Sequence, residues 1–420
     1  MPRIFLTLAI VLLAVACAAG VAYGTDPRWM ARARGLDWIM LGRRWQWPMA
    51  AGSLIACVVL IGMVIAGKRT VFWLVALAPV LLLFYQRFMS EPWRRVGVAD
   101  APPMVEANRA TFLQGDDAVI GLTFEDMHFA YPCAALARTP IVLHADGDRR
   151  LIVLYSPVAG RAGAASIDHT IKGRELEVVS MPAGAALILN GRIGQFVNGF
   201  TGLTPDGKRP TGFGPPIDTV RTTWAHWRAR HPDSRVLATA WGTGETAAPP
   251  ITWPEPAGGW AAPPSARVAL LATTRPLAVR GEDVRPGDVV NVSAGGMNLL
   301  LIRDTAGTLH AYDRTVKGDL FPRFERKKVP AKPEVALADP QTRSLWTIDG
   351  KCVDGFAKGE RLAGVRVEED VLWGTLKTYM PATELLAAEA VAAGRAVEAK
   401  EPEPAKPKPV KPVRKPAAPR

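Results

Sequence analysis

The side chains best suited to chemistry in this 420-residue chain are six histidines and four cysteines. The histidines are His128, His144, His169, His226, His231 and His310. His226 and His231 stand five apart in a predicted helix over 222–231, TTWAHWRARH. That spacing sets them about 140° apart around the axis, too far to grip one metal together. They read as polar rim residues. His169 adjoins Asp168 as an acid–base pair would, yet neighbours along a strand point to opposite faces. The matching text further on reads Asp313-Arg314, so Asp168 and Asp313 read as turn or strand-end residues rather than catalytic ones. Cys17 and Cys57 fall in apolar segments, which leaves Cys133 and Cys352 for the rest of the chain. With no Cys-x-x-Cys, a zinc ribbon and a thioredoxin-like pair are both excluded. Cys133 and Cys352 read as two separate buried thiols, with one disulfide as the alternative in an oxidising compartment.

Other chemical signatures are faint. Nucleophile-elbow, phosphate-loop and dinucleotide fingerprints do not occur. Gly242-Thr243-Gly244 lies in a linker, and Ser293-Ala294-Gly295-Gly296 fits a hairpin turn as well as an anion cradle. Glu368-Glu369-Asp370 reads as a solvated turn, and Trp224, Trp227, Trp346 and Trp373 read as core. No residue receives a catalytic, cofactor-binding or metal-binding role, and no cofactor is expected.

The elements that must position these residues begin in a membrane segment, 1–99. Apolar spans lie at about 4–23, 48–67 and 71–89. The first is a signal peptide or a transmembrane helix, and its length does not separate the two. Cys17 lacks the Leu three residues before it that lipoprotein cleavage prefers, since Ala14 stands there. The other two spans, joined by Lys68-Arg69-Thr70, predict a helical hairpin, with Trp45, Trp47 and Trp93 at the interfaces.

The net charge of +12 divides unevenly. Residues 1–99 carry 11 Lys/Arg against 3 Asp/Glu, and residues 401–420 carry 6 against 2. The middle is balanced at 34 against 34, so nucleic acid is excluded as a partner. The expected partners are a lipid bilayer through the N-terminal helices, and an envelope protein or anionic polymer through the Lys/Pro tail.

From residue 100 the pattern is β-rich. Strands are predicted at 141–144, 151–156, 175–179, 185–189, 235–240, 299–303, 309–312 and 344–348. Thr222 or Thr223 caps the helix over 222–231, and Pro232 ends it. Asp-x-Thr-Ile/Val-Lys-Gly occurs at Asp168 and again at Asp313, 145 residues on. Trp224 and Trp373, each followed eight later by Pro, lie 149 apart. Two landmarks at nearly one spacing imply an internal duplication. The organisation is therefore 100–242, a first β-rich unit; 243–265, a Pro/Gly/Ala linker; 266–383, a second β-rich unit; and 384–420, an Ala-rich helix, read on TELLAAEAVAAGRAVEAK at 383–400, with a disordered, Lys/Pro-rich tail. The fold class is α+β, β-rich, with two duplicated β units preceded by transmembrane helices.

Over roughly 110–386 the chain resembles the bacterial and archaeal family known as domain of unknown function 3179. The resemblance rests on Ala130-Tyr131-Pro132 with Leu136, on LIVLYSPVAG at 151–160, and on TTWAHWRARHPDS at 222–234. It continues through GDVVNVSAGGMNLLLI at 287–302, AYDRTVKG at 311–318, TRSLWTIDGKCVDG at 342–355, Leu362-Ala363-Gly364 and the closing LWGTLKTYMPATEL. Members typically read Tyr-Cys-Pro-Leu-Cys-Gly where this chain has Tyr155-Ser156-Pro157-Val158-Ala159-Gly160. Two cysteines at that spacing can share a soft metal or close a disulfide. Ser156 and Ala159 can do neither, so such chemistry does not carry over. Members commonly follow an export signal, which implies a cell-membrane protein with an extracytoplasmic body. The count of flanking arginines argues the reverse. The expected function is a non-enzymatic envelope binding or structural module with the cleft between its units as the site. The alternative is a metal- or redox-linked envelope enzyme or accessory factor using His and Asp across the units.

Overall fold

The computed structural model describes residues 2–67, 70–89, 97–146, 149–238, 251–255, 259–304, 307–318, 320–327, 329 and 335–395. Two helices, α1 (Pro2–Tyr23) and α2 (Gly35–Ile65), are long and apolar enough to cross a membrane. The span expected from residue 48 begins instead at Gly35 and runs through Pro48. At 31 residues α2 is about 46 Å long, against a hydrocarbon core of about 30 Å, so roughly its first third projects beyond such a core. The stretch expected as a third span is a 3₁₀ turn, Val71–Ala76, leading into α3 (Leu77–Met89). Pro79 lies in the first turn of α3, where its missing N–H costs nothing, and it starts a fresh helix after the 3₁₀ turn. A helical hairpin is present, but α1 and α2 form it. They approach closely because both partners at the crossing are glycine: a Cβ on Gly42 would run into the Gly24 carbonyl. Deeper in the pair, Ser53 Oγ donates to the Ala14 carbonyl at 3.0 Å.

The body opens with β1 (Val98–Asp100), β2 (Met104–Glu106), β3 (Ala118–Phe124) and β4 (Met127–Pro132). After α4 (Cys133–Arg138) come β5 (Ile141–Asp146), β6 (Arg149–Ser156) and β7 (Arg161–Ile167). A short meander follows: β8 (Leu176–Ser180), β9 (Leu187–Asn190) and β10 (Gln195–Asn198). β11 (Phe213–Ile217) and β12 (Thr219–Thr223) lead into α5 (Trp224–Arg230) and β13 (Arg235–Leu237). The strands form three sheets, ordered β1-β5-β6-β7-β11, β10-β9-β8 and β12-β3-β4-β13-β2. Alternation dictates the packing. On β6, Ile152 and Leu154 face one apolar cluster while Leu151, Val153 and Tyr155 face another. The sheet is buried on both sides, which is why its strands read as continuous apolar runs.

The second unit holds β14 (Arg267–Leu271), β15 (Leu277–Arg280), β16 (Val289–Ala294), β17 (Met297–Arg303) and β18 (Leu309–Asp313). Then come β19 (Glu325–Arg326), β20 (Val335–Asp339), β21 (Ser344–Thr347), β22 (Cys352–Asp354), β23 (Ala363–Val365) and β24 (Val367–Leu372). α6 (Trp373–Tyr379), β25 (Glu384–Leu385) and α7 (Ala388–Gly394) complete it. Its sheets run β24-β14-β15-β25, β16-β17-β18-β23 and β19-β20-β21-β22. The helix expected over 383–400 begins only at Ala388. Glu384-Leu385 pairs in parallel with Leu277-Ala278 and Leu386 is buried, so sheet pairing overrides the helical propensity of this segment. The Asp146–Asp148 turn is described only at Asp146; Gly242–Gly244, residues 239–240 and the Lys/Pro tail lie outside the described residues.

The membrane segment and the body meet directly. Met30, from the turn between α1 and α2, and Ile39 pack against Val179, Ala183, Leu187 and Phe196 on and beside the meander β8–β10. Ser180 Oγ donates to the Thr25 carbonyl at 2.8 Å, and Arg43 pairs with Glu177 at 2.6 Å. The α1–α2 turn and the body therefore lie on the same side of any bilayer these helices cross, and the 3₁₀ turn with α3, about 32 Å end to end, returns the chain to that side.

One glycine in the body tests the packing. On β3, a Cβ at Gly121 would collide with the Trp227 ring, which is 5% exposed. Gly121→Ala should cost about 1–3 kcal/mol through overpacking. Urea unfolding of the detergent-solubilised chain checks it, and an unchanged midpoint would show that Trp227 has room to move.

Candidate functional site

Some of the residues singled out for chemistry meet along the junction of the two units: the Tyr155–Gly160 turn, Cys133, His226 and His310. The β6–β7 turn, Tyr155 to Gly160, lies at its centre. Ser156 Oγ accepts the Ala186 N–H at 2.9 Å, and Ser156 is fully buried. Ala159, also fully buried, packs with Ala185 and Phe200 of its own unit and with Val268, Val371 and Trp373 of the other. Ala159 therefore holds the turn against the second unit, and Ser156 ties it to the first. The cleft expected between the units is filled along this seam by side chains.

Around the turn runs a lattice of charges fed by one strand. Glu368, Glu369 and Asp370 do not form a solvated turn; they lie within β24, and Glu368 is 2% exposed. Arg161, at the start of β7, donates Nε to Glu368 at 2.5 Å and stacks over Phe200 at 4.9 Å. Arg366 reaches Glu368 at 3.4 Å and also pairs with Asp218 of the first unit. Arg221, on β12, pairs with the Asp370 carboxylate, and Arg267 donates to the Asp370 carbonyl at 2.8 Å. Asp370 has φ 63°, next to an irregularity in the β14–β24 register. That bulged, left-handed conformation turns its carbonyl and carboxylate toward two arginines. Glu369 serves the second unit itself, accepting Leu309 N–H at 2.6 Å and lying 3.6 Å from Arg303.

Behind this lattice sits Cys133, hydrogen-bonded by Tyr155 and Arg221. Burial pushes its thiol pKa up, and the nearby Arg221 charge only partly opposes that. A thiol held protonated is a packing group rather than a nucleophile. Tyr155 is raised well above the usual phenol value, chiefly by burial. Burial works against the Arg221 charge, but the Asp370 carboxylate paired with it outweighs that and holds the guanidinium protonated. Cys352 lies in a separate apolar cluster with Trp346 and Phe324, so the two cysteines are independent free thiols.

The histidines divide as their spacing predicts. His231 faces Trp227 and His128, with ring centroids 4.3 and 4.0 Å away. His226, on the other side of α5, faces His310 across the junction at 5.5 Å. His310 Nε2 stands 3.0 Å from Asp304 Oδ2 and is 7% exposed. Thr223 caps α5, its Oγ1 accepting the His226 N–H. His169 is exposed, and His144 lies edge-on to Phe129 at 5.0 Å. Asp313 Oδ1 accepts from Thr315 N and Oγ1 at 3.0 and 2.6 Å, closing its own turn. Trp224, Trp227, Trp346 and Trp373 are all buried. Among the described residues, no group of three or more His, Cys, Asp or Glu is placed to hold a metal ion.

Sequence reasoning missed the acidic strand. The signal was there in the apolar flanks, Val367 before the acids and Val371-Leu372 after them, which suit a strand better than a turn.

Two consequences are measurable. Glu368→Gln leaves Arg161 and Arg366 short of their carboxylate in a buried setting, so it should lower stability by about 3 kcal/mol. Denaturant titration reads this directly, and a loss under about 0.5 kcal/mol would mean water reaches the arginines. His226 has its pKa lowered to about 4, first by burial and then by Arg230 and His310. The folded state thus disfavours the proton that an unfolded histidine takes up near 6.5. Its contribution is complete above that pH and is lost as pH falls toward about 4. With solvent screening, the loss should be on the order of 1 kcal/mol. His226→Gln should flatten the fall in melting temperature between pH 7 and pH 4.5; an unaltered slope would place the titration elsewhere.

A family model described as "Protein of unknown function (DUF3179)" matches residues 98–383. No curated protein matches the chain. No solved structure matches it either.

Proposed function

The chain belongs to the DUF3179 family of proteins of unknown function, and from that premise we propose a membrane-anchored envelope module that binds or scaffolds rather than catalyses. One observation carries this reading. At the place where the family typically has Cys-x-x-Cys, Ser156 and Ala159 are used for packing, one bonding the Ala186 backbone and the other filling the apolar junction. The ionisable groups around them pair with one another, which suits a rigid frame.

The body is a duplication of one β unit. Supporting this, β12-β3-β4-β13 and β24-β14-β15-β25 have the same order and the same pairing senses. In each, the first strand runs into a seven-residue helix that begins on tryptophan, Trp224 or Trp373. β5-β6-β7-β11 and β16-β17-β18-β23 correspond in the same way. α1 and α2 anchor the module in the bilayer, and the body faces the extracytoplasmic side. Three of the arginines that argue the reverse are engaged locally: Arg28 with Asp26, Arg34 with Asp37, and Arg43 with Glu177 of the body. The second reading, an enzyme or accessory factor using His and Asp, draws on His226, His310 and Asp304 meeting across the junction.

Metal analysis of the purified full chain separates the two readings. Less than about a tenth of an equivalent of copper, iron or zinc is expected; stoichiometric metal that His310→Ala removes would establish the second. Asp126→Cys, at an exposed turn, should react with a membrane-impermeant maleimide in intact cells. Protection until the cells are lysed would put the body in the cytoplasm.

A further inference from the structure

The body carries a second feature that the junction does not explain. Among its described residues, the large exposed apolar side chains are Phe112, Ile193, Leu320, Phe321 and Phe356, and three of these line one groove. The groove has a volume of about 600 Å³. One wall is Leu320, Phe321 and Pro322, ahead of β19; the other is the β20–β21 turn, Gln341 to Arg343, with Phe356. Leu320, Phe321 and Phe356 are 40%, 48% and 60% exposed.

The rim is cationic. Lys317 stands over the Phe356 ring at 4.0 Å. Arg314 is spent on the wall itself, donating to the carbonyls of Phe321 and Pro322 at 2.7 and 3.1 Å. Burial, then the neighbouring Arg323, pulls its pKa down. Residues 314–328 hold six Lys/Arg against two Asp/Glu, in a body whose total charge is balanced. Lys317, Arg323 and Arg343 make no ion pair with any described residue. Lys317 and Arg343 both have positive φ, 49° and 55°, conformations that non-glycine residues seldom adopt.

We propose that this groove is a docking site for an acidic segment of a partner protein that inserts an apolar side chain between Phe321 and Phe356. Three arguments select that occupant. A cationic rim around an apolar floor is complementary to carboxylates flanking a hydrophobic anchor. The chain's own tail carries a net charge of +4 over 401–420, so the rim repels it. The surface is concave, so a protruding side chain can enter it and a flat lipid surface cannot. The site is independent of the reading given above for the junction, because it shares no residue with it.

The test uses the full chain in neutral detergent micelles and a fluorescein-labelled peptide, Asp-Glu-Phe-Leu-Glu-Asp, with Asn-Gln-Phe-Leu-Gln-Asn as its uncharged counterpart. Anisotropy should show the acidic peptide binding about tenfold tighter than the amide at low salt, a gap that narrows as ionic strength rises. Arg343→Glu and Lys317→Glu should each weaken it about fivefold, and Phe356→Ala should weaken both peptides. Arg343→Gln, with a melting curve for each variant, separates loss of charge from loss of fold. Equal affinity for the two peptides, no saturation by the acidic one, or indifference to the charge reversals would overturn the proposal. So would efficient displacement of the peptide by phosphatidylglycerol in the micelles, which would assign the groove to lipid.

Discussion

A carboxylate removed from water must find a cation or lose its charge, and in this protein that constraint falls on β24. Glu368 is buried between Arg161 of one unit and Arg366 of the other, while Asp370 holds Arg221 and Arg267. Desolvating these groups is costly, and only close, multiple pairing offsets the cost. The pairing fixes the relative position of the units more narrowly than apolar contact would, because each guanidinium accepts partners in few directions. The Phe200, Trp373 and Ala159 contacts then close around a geometry the charges have selected. Hydrophobic burial supplies most of the stability, and the ion pairs supply its uniqueness.

Much of this architecture can be read from residue order. Asp-Gly at 146–147 and Gly-Gly at 295–296 mark hairpins, and Thr223 caps its helix. Asp168 follows directly on β7 and Asp313 ends β18, strands with matching neighbours in their sheets. What cannot be read locally is where a charged segment ends up. Glu368-Glu369-Asp370 looks solvated until strands far away in sequence bring arginines to it. The same blindness affects Glu384 and Leu385, strong helix formers drawn into a parallel pairing by β15. It also affects α2, whose start at Gly35 is set by contacts with the body as much as by hydropathy.

The candidate site was legible as a position but not as a role. The β6–β7 turn stands at the centre of the junction, where two thiols would be enclosed by Arg161, Arg221 and the acids of β24. Serine and alanine at 156 and 159 keep the shape of that enclosure without its reactivity. Cys133 shows how strongly the surroundings discourage a thiolate: even beside Arg221, burial keeps its proton in place. The histidines tell a related story. The five-residue gap between His226 and His231 sends them to different neighbours, and only the fold reveals that His226 meets a histidine–aspartate pair from the other unit.

The seating of the α1–α2 turn on the β8–β10 meander has a consequence for how the molecule meets others. A body joined to its anchor by a slack linker samples every orientation above the lipid. Here Met30, Ile39, Arg43 and Ser180 fasten the anchor to the body at several separate points. The molecule should therefore rotate about the bilayer normal and drift laterally, with little freedom to tumble. Every surface of the body then keeps a constant height and heading above the membrane. A partner confined to the same lipid plane has to search two dimensions and one angle, so a weak contact can be populated at densities where free proteins in solution would seldom meet.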